Sequence, residues 1–189
     1  MGVEPGNIQL VGDSAGGALI HGVFSHMLHP LAGIPELKLS GPFAGAYFMS
    51  TWSKLVNNEE NCLYNNDGRG DWLRGKTCGY WGNICMKDIP GHVVPYLEGN
   101  SAPDTWFHGV DQCVKRVLFS IGEIEALRDT ILEYAECVKK YHPNTTVIVQ
   151  DLGTHNDPYI DCITGAHDAD NLTAMILDWV DEGFTTAEG

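Results

Sequence analysis

The sequence predicts an α/β fold, a mostly parallel sheet with helices on both faces. Three observations carry this. Short apolar runs alternate with stretches of helical periodicity, the pattern of a parallel sheet covered by helices. The first run, Asn7-Ile8-Gln9-Leu10-Val11, leads directly into Gly12-Asp13-Ser14-Ala15-Gly16-Gly17 and then into a helical pattern. The alternation breaks once, over residues 50–112, where periodicity is poor and tryptophan, asparagine and glycine accumulate.

The elements follow in order. Ile8 to Val11 reads as a buried strand. Leu19, Ile20, Val23, Phe24, Met27 and Leu28 are spaced as on a helix that ends near His29-Pro30. Leu31 to Gly41 is a connector, and Phe43 to Met49 is a second apolar strand. Residues 50–112 hold Trp52, Trp72, Trp81 and Trp106, and read as a loop-rich excursion with short helices that covers a pocket. Within it, Arg69-Gly70-Asp71 is explained by a turn rather than by receptor binding. Val117 to Ile121 is a third strand, and Ala126 to Tyr141 a helix with Leu127, Ile131, Tyr134, Ala135 and Val138 on one face. Thr146 to Val149 is a fourth strand. The last helix runs from about Asp170 to Glu182, with Leu172, Met175, Ile176, Trp179 and Val180 as its buried stripe.

Composition narrows the function. At 189 residues one domain, 1–189, is expected. The formal net charge of −14 leaves too few cations for a phosphate-binding face, so nucleic acid is not an expected partner. No stretch is long and apolar enough to span a membrane. Cys62, Cys78, Cys85, Cys113, Cys137 and Cys162 form no CxxC and show no zinc spacing, and no metal or other cofactor is expected. The even cysteine count, with sequons at Asn144 and Asn171, leans towards a secretory compartment. Buried free thiols in a cytosolic enzyme fit as well.

The chemistry centres on Ser14. A strand, a tight turn of small residues with Ser at its tip, and a helix make a nucleophile elbow. The turn strains the Ser backbone, so Gly12, Ala15, Gly16 and Gly17 keep its surroundings small. The plainer reading is a Ser that caps the helix. A Ser hydroxyl needs a His to take its proton, and that His needs a carboxylate. Active sites of such sheets lie beyond the strand C-termini. There, His155 follows the fourth strand directly, while His21, His26, His29, His92, His108 and His142 are set aside on helices, in the excursion or at a helix stop. His167 is the remaining rival. For the acid, Glu123 and Glu125 both follow the third strand, with Asp151 and Asp157 less well placed.

These residues resemble a known group. Gly12-Asp13-Ser14-Ala15-Gly16-Gly17 is similar to the GDSAGG elbow of the hormone-sensitive-lipase-like esterases, a branch of the α/β-hydrolases, with the fungal members nearest. Glu125-Ala126-Leu127-Arg128-Asp129 resembles that group's acid segment, which assigns the acid to Glu125, a Glu in place of Asp. Gly153-Thr154-His155 resembles its histidine loop, and Pro42 to Trp52 with Leu97 to Trp106 its pocket-lining segments. The resemblance implies ester hydrolysis through Ser14, Glu125 and His155, with the Ala15 N–H in the oxyanion hole and a small ester with an apolar group as substrate. The group's HGGG segment, which supplies further oxyanion donors, has no counterpart here. The chain therefore reads as the C-terminal part of a longer hydrolase, weak on its own, with Ile8 to Val11 as an exposed sheet edge. A catalytically inactive fragment or binding protein that retains the triad, and a peptidase or amidase on the same fold, are the alternatives.

Overall fold

The computed structural model describes residues 3–56, 66–165 and 172–185. Its sheet has four parallel strands in sequence order: β1 (Gln9–Asp13), β2 (Gly45–Met49), β3 (Val117–Gly122) and β4 (Thr145–Gln150). Between and after them lie α1 (Ala15–Leu28), α2 (Gly75–Cys85), α3 (Val94–Leu97), α4 (Arg128–Lys139), α5 (Asp157–Thr164) and α6 (Leu172–Thr185). The α/β reading of the sequence holds.

Parallel strands need crossovers, and each crossover buries a sheet face. β2 and β3 are buried along their whole length. Their side chains alternate between two cores, as the period of two requires. Ala46, Phe48, Phe119 and Ile121 face the core that Ile20 and Phe24 of α1 and Ile131 and Tyr134 of α4 complete. Tyr47, Met49 and Leu118 face the other, closed by Leu172, Ile176 and Trp179 of α6. Phe48 and Phe119 are register partners, and their rings stack 4.7 Å apart. The outer strands are less covered. Val11 on β1 is 60% exposed, as expected of a sheet edge.

Several boundaries and one element differ from expectation. β2 begins at Gly45, with Phe43 reduced to a bridge to Val114. α4 begins at Arg128, so Leu127 packs from the preceding turn. Met175 of α6 is 46% exposed and lies outside the buried stripe. α5 is an addition to the expected elements: it is 8 residues long, too short for its periodicity to stand out, and no residue on it is buried. Pro in its first turn is the signal that marks it. The excursion does contain short helices, α2 and α3, along with 3-10 turns at Gly99–Ser101 and Val110–Gln112. His21, on α1, is buried against Tyr134, Ser25 and the Pro95 carbonyl. All five described cysteines are free, and Cys62, His167 and Asn171 lie outside the described residues.

Candidate active site

Ser14 sits between β1 and α1 with φ 48° and ψ −114°, a conformation L-residues seldom adopt. The surroundings over-determine it. Its N–H donates to the Met49 carbonyl at 2.9 Å, and its carbonyl accepts from Trp52 N–H at 2.9 Å. The end of β2 thus grips the turn from both sides. A Cβ on Gly12 would lie 2.4 Å from the Gly16 carbonyl carbon, and one on Gly17 would lie 1.8 Å from Thr51 Oγ1. Gly16 has no such constraint, its nearest neighbour being Asp13 Oδ1 at 3.8 Å. The elbow therefore needs two of its glycines for close approach. Although Ser14 occupies the cap position of α1, its hydroxyl makes no cap hydrogen bond. The Ala15 N–H, next along, belongs to the first helical turn, whose N–H groups lack intrahelical acceptors.

The loops after β3 and β4 meet beside this turn. Ile124 N–H donates to the Gly153 carbonyl at 3.0 Å, and a Cβ on Gly122 would strike that same carbonyl. This contact sets Glu125 against His155. Glu125 Oε2 lies 3.4 Å from His155 Nδ1, with the two side chains 0% and 2% exposed. That separation is ion-pair range and somewhat longer than a standard N–H···O bond of about 2.7–3.2 Å. Burial pushes the Glu125 carboxyl up from its ordinary value, while the nearby His155 and Ser50 pull it back. Ser50, at φ 45°, also accepts the Asn156 N–H at 2.9 Å. Asn156 Nδ2 reaches Asp13 Oδ2 at 3.2 Å, so the residue after His155 is tied to the residue before Ser14.

The other carboxylates have different tasks. Glu123 is only partly buried and accepts Leu152 N–H, which holds its carboxyl below the usual glutamate range. Asp157 accepts from Thr154 N–H, Thr154 Oγ1 and Gln150 Nε2, and so braces the start of α5. Asp151 is exposed. Sequence reasoning overlooked the stretch just before α2. Asp71 is 3% exposed and accepts N–H bonds from Leu73, Ala126 and His155. That burial also removes Arg69-Gly70-Asp71 from consideration as an exposed recognition loop, while Arg69 N–H closes a turn onto the Asn66 carbonyl, as expected.

An apolar cavity of about 230 Å³ opens beside the elbow, lined by Ala15, Ala18, Leu19, Trp52, Leu55 and Leu97 among others. Trp52 and Leu97 come from the segments expected to line a pocket. Glu98 supports this wall from behind, its buried carboxylate accepting the N–H groups of Leu55 and Val56. No group of three or more metal-ligating side chains occurs among the described residues, and no described helix is long and apolar enough to cross a membrane.

Comparison with known proteins places the fold. No family model and no curated protein matches the sequence. Solved structures do match. The structure of carboxyl esterase 2 from the mycorrhizal fungus Tuber melanosporum aligns over 97% of this chain and 55% of its own, at TM-score 0.68 and 16% identity. That of EstE5 covers 97% and 56%, at TM-score 0.72 and 17% identity. An esterase of the bacterial hormone-sensitive lipase family covers 86% and 49%, at TM-score 0.65 and 22% identity. The chain therefore has the α/β-hydrolase fold seen in these esterases. It spans about half the length of the structures it matches.

Proposed function

We propose that this chain carries the catalytic groups of a carboxylic ester hydrolase. The observation that supports this best is the sealed Glu125–His155 pair, joined through Asn156 and Asp13 to a strained turn whose serine hydroxyl is not used as a cap. In the proposed reaction Ser14 Oγ attacks the ester carbonyl as His155 takes its proton. Glu125 holds the imidazole and stabilises the imidazolium. That interaction strengthens as charge develops, so it favours the transition state over the ground state. The Ala15 N–H donates to the oxyanion. The alcohol leaves with the proton from His155, and water activated by the same imidazole releases the acid.

The apolar cavity beside Ala15 suits the hydrocarbon part of a small ester. The steps use protein groups alone. Only one oxyanion donor is assigned, and loss of a donor typically costs about 10²–10³ in kcat. Slow turnover by this chain in isolation is therefore part of the proposal. The test compares p-nitrophenyl esters with peptide p-nitroanilides on the chain and on Ser14→Ala. Ester cleavage that disappears in Ser14→Ala supports the proposal. Preferential amide cleavage makes the protein an amidase, and absence of Ser14-dependent cleavage of either favours an inactive fragment or a binding protein.

A further inference from the structure

We propose that Asn66, Asp71 and Trp72 are positioning residues that together hold the acid and the histidine in register, an inference that rests on the hydrolase reading above. The segment grips one peptide unit from both sides: Asn66 Nδ2 donates to the Glu125 carbonyl at 3.1 Å, and Asp71 Oδ2 accepts the Ala126 N–H at 2.8 Å. It grips His155 in the same way. Asp71 Oδ1 accepts the His155 N–H at 3.1 Å, and Trp72 Nε1 donates to the His155 carbonyl at 2.7 Å. One buried carboxylate thus bridges two loops that leave different strands. The Trp72 ring also meets the imidazole edge-on, with centroids 5.5 Å apart.

The physical requirement is plain. Glu125 and His155 come from separate loops, and their side-chain separation depends on where both backbones stand. Loops drift unless their polar groups are tied down. A misplacement of about 1 Å can cost about 10²-fold in rate. Here the ties come from side chains whose hydrogen bonds go to the backbone of the two loops. A segment of the excursion does more than cover a pocket: it sets the distance between the two partners of Ser14.

Trp72→Phe is the sharpest variant, since it keeps a ring beside His155 and removes the Nε1–H donor to its carbonyl. Trp72 is 57% exposed, so the fold tolerates the change. Asp71→Asn retains one accepting oxygen and turns an amide N–H towards a backbone N–H. The first readout is the tautomer of His155 in ¹⁵N-histidine-labelled protein, assigned by the resonance missing from His155→Gln. The second is the rate at which a fluorophosphonate labels Ser14, with thermal unfolding as the control. The wild type is expected to hold the Nδ1–H tautomer facing Glu125. In both variants that population falls. Labelling slows about three- to tenfold in Trp72→Phe and about 10²-fold in Asp71→Asn, with the Trp72→Phe melting temperature unchanged. An unaltered tautomer in both variants overturns the proposal, whatever the labelling does. Absence of labelling in the wild type overturns the hydrolase reading instead and leaves the tautomer comparison decisive.

Discussion

Glu125 Oε2 and His155 Nδ1 face one another at 3.4 Å, both withdrawn from solvent. Such a pair is costly to bury and valuable when the imidazole gains a proton. Burial raises the Glu125 carboxyl, and the nearby His155 and Ser50 oppose that rise. Catalytic hydrogen bonds are often long before substrate binds and shorten as charge develops.

Glu125→Gln separates function from stability. The shapes match, and the desolvation cost of a charge is removed. Ester turnover is expected to fall by about 10²–10⁴, because the amide can accept or donate and no longer fixes the tautomer. The midpoint of urea unfolding holds or rises. A parallel loss of both would mean that Glu125 is a structural group.

The elbow glycines should divide into two kinds. Gly17→Ala drives a methyl into Thr51, and Gly12→Ala drives one into the backbone of Gly16 and Gly17. Each is expected to destabilise by about 1–3 kcal/mol or more. Gly16→Ala meets only Asp13 Oδ1, at an ordinary contact distance of 3.8 Å, on a helix and is expected to stabilise by about 0.5–1 kcal/mol. Chemical denaturation of the three variants checks the order.

His21 gives the fold a pH dependence. Burial lowers its pKa from 6.5 to about 4, and its ring nitrogens are engaged by Tyr134 and the Pro95 carbonyl. Between those two values the unfolded chain binds a proton that the folded one refuses. Stability therefore falls as pH drops from about 6.5 to about 4, by about 3 kcal/mol from this group. His21→Gln starts less stable at pH 7 and shows a shallower decline. Urea unfolding at pH 7 and pH 4.5 measures the difference in slope.

The cavity beside Ala15 sets chain length in the proposed reaction. Ala18→Phe fills part of its 230 Å³ from α1. The preference for long over short acyl p-nitrophenyl esters is expected to drop at least about tenfold in kcat/KM, with acetate little affected. An unchanged preference would place the apolar group elsewhere.

Much of the fold was legible because its signals are local. Four apolar runs became four strands, and Ser14 lies at the strand–helix turn where its motif put it. His155 was singled out because it follows β4 directly. What escaped the sequence depends on distant pairs. Asp71 meets Ala126 and His155 across 55 and 84 residues, and nothing in its own neighbourhood announces that. His21 is spaced like any helical residue, and only the approach of α3 and α4 buries it. Glu123 and Glu125 were equal by position, since the closeness of the Gly122 and Gly153 loops decides which of them faces inward. α5 lies on the surface and spans only 8 residues, too few for a helical period to stand out.

The central claim is that His155 activates Ser14. Time-resolved labelling of the chain with a fluorophosphonate, read by peptide mass spectrometry, tests it most directly. Slow modification at Ser14 alone is expected, abolished by Ser14→Ala and reduced at least about 10³-fold by His155→Ala. Modification of Ser14 at the same rate in His155→Ala, or at other serines as fast as at Ser14, would contradict it.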